Sequence, residues 1–166
     1  MSSLLNHIDR AYAWFVRAAD ACQSPVLLAV RLYWGWQFWQ SGWGKLHDLP
    51  KVVEYFTSLG VPFPGLNAPF IALLETAGGI LLALGLGSRL IAFPLFVDMV
   101  VAYVVGDREA LGSIFSDPDK FYAAAPYTFL FASLLILVFG PGKLSLDALI
   151  AHYRKKGQPT ATPMVP

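Results

Sequence analysis

The sequence predicts an all-α polytopic membrane protein. Four transmembrane helices form an antiparallel bundle, with interfacial amphipathic helices at the N-terminus, in the outer loop and at the C-terminus. Three observations carry this. Mean hydropathy is +0.54. Charged residues make up 14% of the 166-residue chain, about half the quarter usual in soluble domains. Four apolar stretches approach the ~20 residues that a helix needs to cross the hydrocarbon core. A soluble domain this small has too little interior to hide so much apolar surface, and isolated strands would leave unpaired backbone in lipid.

The elements follow in order. Residues 1–24 repeat apolar side chains at Leu5, Ile8, Tyr12, Phe15, Val16 and Ala19. That is helical spacing, and it predicts an amphipathic helix in the cytoplasmic interface. The transmembrane domain, 25–140, holds spans near 25–43, 67–86, 89–105 and 121–140. Only Gly87 and Ser88 separate spans two and three, which forces a helical hairpin. Between spans one and two, Pro50 opens a short helix through Val52, Val53, Phe56 and Leu59 that Gly60 and Pro62 stop. Pro94 and Pro126 fall inside spans three and four, where each is expected to bend its helix. Residues 141–157 form a second amphipathic helix with Ser145 as N-cap and Gly157 after it, and 158–166 form a disordered tail.

Charge sets orientation. Arg10, Arg17, Arg89, Lys143, Arg154, Lys155 and Lys156 fall on one side, against Lys45, Lys51, Arg108 and Lys120 in the two long loops. Basic residues collect on the cytoplasmic face, so both termini are expected there. The same counts exclude several functions. The lone Cys22 rules out an internal disulfide, a CxxC pair and a Cys-held cluster. His7, His47 and His152 lie outside the spans, so a bis-histidine haem has no ligands between them. No two His or Cys share a face, and no metal site is expected. Net charge of +1 gives no reason to expect nucleic acid.

The chemistry-bearing residues are the ionisable ones inside the spans, which are costly in lipid unless paired or hydrated. Arg31 shares a face of span one with Gly35, Phe38, Gly42 and Lys45. Glu75 shares a face of span two with Ala72 and Gly79, flanked by Gly78, and Asp98 lies on span three with Pro94 and Ala102. Small residues beside each charge permit close helix approach. By helical rise, Arg31 lies about 9 Å and Asp98 about 14 Å from the cytoplasmic edge, and Glu75 about 12 Å from the outer edge. Arg31 is therefore expected to reach Asp98 more readily than Glu75, and an interior site could join all three. That leaves one carboxylate in excess, with Glu75 the candidate to hold a proton. A buried pair that only fixes helix register is the plainer alternative. Trp34 and Trp36 lie too deep for an interfacial belt; beside Arg31 they offer a wall for a flat ring, or plain packing.

At Gly42-Trp43-Gly44-Lys45-Leu46 the chain resembles the DoxX family of small four-helix bacterial membrane proteins. The resemblance includes Arg31, the run Tyr55-Phe56-x-x-Leu59-Gly60-Val61-Pro62, and Leu74-Glu75-x-x-Gly78-Gly79 followed by Leu84-Gly85-Leu86. It closes with Pro141-Gly142-Lys143-Leu144-Ser145-Leu146-Asp147 and covers roughly 25–150. It implies a membrane-bound redox role, with Arg31, Lys45 and Glu75 as functional positions and Gly42, Gly78 and Gly79 in close packing. Asp98 falls outside this motif set.

The leading expectation is a redox-associated inner-membrane subunit. It would hold a quinone or similar flat lipid-soluble ligand near Arg31, Trp34, Trp36, Lys45, Glu75 and Asp98, with Gly35, Gly42, Gly78 and Gly79 packing the helices. No flavin, haem or iron–sulfur motif is present, so there is no intrinsic cofactor and electrons come from another polypeptide. Any catalytic part is that of a subunit of a quinone-linked oxidoreductase. Candidate partners are the lipid bilayer, soluble or membrane oxidoreductases and further copies of the chain. The alternatives are a non-catalytic membrane scaffold that recruits partners and, third, a small proton-coupled transporter.

Overall fold

The computed structural model describes residues 2–156 and is all-helical, with no strand among the described residues. The elements are α1 (Ser2–His47), α2 (Leu49–Ser58), α3 (Pro64–Leu84), α4 (Ser88–Val105), α5 (Arg108–Gly112), α6 (Pro118–Ala123), α7 (Pro126–Phe139) and α8 (Leu146–Lys156). The tail expected at 158–166 lies outside the described residues.

Two expectations need correction. Residues 1–24 and span one, expected as separate helices, form one 46-residue helix with Pro25 inside it. A proline removes a single i→i−4 bond, and no glycine stands before Gly35 to end the helix. At 1.5 Å per residue α1 is about 70 Å long, more than twice the ~30 Å hydrocarbon thickness. Residues 6–17 of it are exposed throughout. The second correction concerns Pro126, expected inside span four. It instead starts α7, after the chain turns extended at Ala124 (φ −66°, ψ 137°). Proline is at ease in a first turn, where its missing N–H has no partner to lose.

Helices α3 and α4 are each long and apolar enough to cross a membrane. The turn between them runs through Gly85 and Gly87, both left-handed (φ 71° and 59°), a conformation in which a side chain is strained. The antiparallel hairpin follows from that turn. α1 packs broadly on α3, and α4 on α7. Three glycines bring α1 and α3 to backbone contact. A Cβ on Gly35 would fall 2.7 Å from the Gly79 carbonyl oxygen, and one on Gly79 would fall 2.5 Å from the Trp39 nitrogen. A Cβ on Gly42 would strike the Thr76 nitrogen. Gly78 faces the other way, with Leu95 of α4 at 3.1 Å. Around these contacts Phe38, Leu82, Leu95, Met99 and Ile136 form the core. Phe38 also meets Phe129 of α7 edge-on, ring centres 4.7 Å apart.

At the far end of α4 the Tyr103 ring stacks on Phe121 at 4.9 Å. Its hydroxyl donates to the Phe121 carbonyl at 2.7 Å. That bond ties α6 to the bundle. α2 lies where the sequence places it, with Pro50 in its first turn and Gly60 left-handed beyond its end.

Candidate functional site

Close packing of α1 on α3 creates the site. Gly42 lets the last turns of α1 lie against Ala72 and Thr76, one turn from Glu75. Lys45, three residues after Gly42, then reaches into the bundle. Its ammonium forms an ion pair with the Glu75 carboxylate and also donates to the Ser41 hydroxyl at 3.0 Å. The pair is lopsided: the Glu75 side chain is 3% exposed and that of Lys45 27%. Lys45 therefore plugs the mouth of a buried acid. From α4, Asp98 brings a second carboxyl to the level of Glu75, one turn from the contact of Gly78 with Leu95. Asp98 is 8% exposed, and its Oδ2 has no hydrogen-bond partner among the described residues. Three helices thus place one ammonium and two carboxyl groups together in an apolar surround.

Arg31 is not among them. Its side chain is fully buried at the opposite end of α3, against Gly85 of the hairpin turn, about 15 Å along the helix from Glu75. There it donates through Nη2 to the Leu144 carbonyl, while Nε and Nη1 find no hydrogen-bond partner among the described residues. The expected approach of Arg31 to Asp98 is overturned by the segment Pro141–Asp147, which folds back across the end of the bundle and offers the guanidinium a nearer acceptor. Lys45, counted from sequence with the loop cations, makes the ion pair with Glu75 instead.

That returning segment is held at several points. The Lys143 N–H donates to Ser24 Oγ at 3.1 Å. The Asp147 N–H donates to the Gly85 carbonyl at 2.9 Å. The Asp147 carboxylate accepts from the N–H groups of Gly87 (2.8 Å) and Ser88 (2.9 Å), the open first turn of α4. Ser145 caps α8, accepting from the Ala148 N–H at 3.1 Å. Burial acts to raise the Asp147 pKa, but the Ser88 and Gly87 donors and the Arg31 charge outweigh it and hold the carboxyl below its ordinary value. Asp147 as a helix cap was missed from sequence. The available signal was a tight Gly-Leu-Gly-Ser turn with uncapped N–H groups and an acid in the Pro-Gly-Lys-Leu-Ser-Leu-Asp run.

The two deep tryptophans take different surroundings. Trp34 is half-buried and meets Tyr33 edge-on at 4.7 Å. Trp36 is 54% exposed and begins a surface ladder, with Trp39 at 4.7 Å, Trp43 a further 6.1 Å on, and then His47 at 4.7 Å. Residues three and four apart share a helix face, so the ladder runs up the outside of α1.

Comparison with known proteins agrees with this architecture. The DoxX family profile matches residues 26–108. The chain is 25% identical over 134 residues to "Putative oxidoreductase CatD" of Bacillus subtilis, covering 81% of this chain and 93% of that protein. It is 27% identical over 125 residues to "Inner membrane protein YqjF" of Escherichia coli (75% and 91% covered). It is 30% identical over 130 residues to "Uncharacterized membrane protein Rv3486" of Mycobacterium tuberculosis (74% and 80% covered). No solved structure matches it. The bundle, its packing glycines and the matched length together place this chain in the DoxX family of membrane proteins.

Proposed function

We propose that the protein is a four-span inner-membrane subunit that works beside an oxidoreductase and binds a quinone or similar flat lipid-soluble ligand at the Lys45–Glu75 pair. Two further spans complete the bundle around α3 and α4: the second half of α1, and α6 together with α7. The tally of basic residues supports termini on the cytoplasmic side. The carrying observation is the buried Glu75 carboxylate closed off by a partly exposed lysine. A ligand carbonyl arriving at that mouth meets a donor in Lys45, and the acids behind it hold a proton for transfer. Electrons come from the partner; the name of the Bacillus relative supports a redox setting. Arg31 acts at a distance, as the anchor of the returning C-terminal segment.

Mass spectrometry of an organic extract of the gently purified protein tests this. The expected result is a stoichiometric aromatic lipid that is lost from Lys45→Met and Glu75→Gln and retained in Arg31→Gln. Bulk phospholipid alone, the same in all four proteins, overturns it. The exposed first half of α1, with Tyr12 69% and Trp14 71% exposed, favours a second reading as a scaffold that recruits partner proteins. In that case deleting residues 2–20 abolishes complex formation while the extract is unchanged.

A further inference from the structure

The charges at the site do not balance, and their placement says how the balance is restored. Two carboxyl groups, Glu75 and Asp98, stand at one level of the antiparallel α3–α4 pair, one turn from the contact of Gly78 with Leu95, close enough for a hydrogen bond once either is protonated, yet two carboxylates have no hydrogen between them to share. One ammonium, Lys45, stands against both. Glu75 takes that ammonium directly, whereas Asp98 Oδ2 is buried with no partner. α2, packed on α3, carries Lys51 and Glu54, both exposed. α7, packed on the other side of α4, holds Tyr127 as its one titratable side chain. Asp107, Arg108 and Glu109 lie beyond the end of α4, which itself runs about 10 Å past Asp98. An uncompensated charge at this depth carries a cost of several kcal/mol.

We propose that Glu75 and Asp98 share one exchangeable proton, so that Lys45, Glu75 and Asp98 form a neutral proton reservoir within the membrane. The proton supplies the hydrogen that the carboxyl–carboxyl contact lacks, and it balances Lys45⁺ against a single remaining negative charge. This deepens the ligand reading and uses the same cluster. When the oxygen anion of a ligand already reduced by the partner's electrons displaces the Lys45 contact, one carboxyl O–H bond breaks and the proton forms a new O–H bond on that oxygen. The cluster is left with two carboxylates and one ammonium, and a proton from water entering past Lys45 restores it. No electron moves in the step. It also gives Asp98 a part in the chemistry, as the second seat of the proton.

Infrared difference spectroscopy of the full chain in an ester-free detergent at neutral pH tests this without any added ligand. The expected spectrum has a carboxylic-acid carbonyl band equivalent to one group per chain, shifting in D₂O. The other acidic side chains among the described residues are exposed or half-buried. Asp98→Asn and Glu75→Gln each remove the band, because either leaves one carboxylate against one ammonium. Lys45→Met raises it towards two per chain. A wild-type spectrum without the band, or a band that survives in Asp98→Asn, overturns the proposal. If Asp98→Asn does not fold, Glu75→Gln and the wild-type spectrum decide it. Absence of the band leaves ligand binding at the Lys45–Glu75 pair standing and removes only the stored proton, and an extract without aromatic lipid leaves the shared proton standing.

Discussion

Lys45 and Glu75 are joined across the α1–α3 interface at the level where Gly42 presses against Ala72 and Thr76. The ion pair and the glycine contact are one feature. A lysine near a helix end would ordinarily extend its head toward the water; here it turns inward because the two backbones touch one turn below.

The glycine contact makes its own prediction. Gly42→Ala drives a methyl group into the Thr76 backbone and is expected to destabilise by about 1–3 kcal/mol. Gly44 has nothing within 4 Å of a built Cβ, so Gly44→Ala is expected to be neutral or stabilising by up to about 1 kcal/mol. Thermal unfolding of both variants in detergent checks this; equal midpoints contradict the close-packing account.

Arg31→Gln removes a charged donor from the Leu144 carbonyl, a bond worth about 1.5–3 kcal/mol. The segment Pro141–Asp147 is expected to loosen, so limited trypsin digestion cleaves after Lys143 faster than in the wild type. Glu75→Gln, at the other end of α3, leaves that rate unchanged.

Asp147 governs stability in acid. Its folded-state pKa lies below the ordinary value near 3.9, so its contribution is complete above that value. The contribution is lost as pH falls through the lowered folded pKa. Asp147→Ala uncaps Gly87 and Ser88 and is expected to cost about 1 kcal/mol at neutral pH. Unfolding midpoints measured from pH 7 to pH 2 are expected to stay apart above the ordinary carboxylate value and to draw together below it. Parallel curves contradict the capping role.

Tyr103→Phe keeps the ring on Phe121 and deletes one hydrogen bond, with an expected loss of about 1 kcal/mol. Amide exchange in residues 118–123 is expected to rise with it, since the lost bond is the one that ties α6 to α4.

Much of this architecture is legible in the chain because periodicity and caps are local. The hairpin between α3 and α4, the α2 helix from Pro50 to Gly60 and the Ser145 cap all follow from neighbouring residues. Pro25 and Pro126 were harder to read. The same residue is tolerated inside α1, where one lost bond matters little in 46 residues, and begins a helix at α7. Arg31 failed for another reason. A helical wheel gives face and depth, but its acceptor, Leu144, lies 113 residues away in a segment whose path no periodicity reveals. Lys45 was on the right face at i+3 from Gly42. Only the depth of the α1–α3 contact shows that it turns in to Glu75.

The most direct test of the central claim is equilibrium titration of a short-chain ubiquinone onto the purified protein, read by quenching of tryptophan fluorescence. The account predicts saturable binding of one quinone per chain, weakened at least about tenfold, or roughly 1.4 kcal/mol, in Lys45→Met and Glu75→Gln. Arg31→Gln is predicted to keep the wild-type affinity. Unsaturable quenching that is the same in all four proteins would show partition into detergent and contradict a ligand site at the Lys45–Glu75 pair.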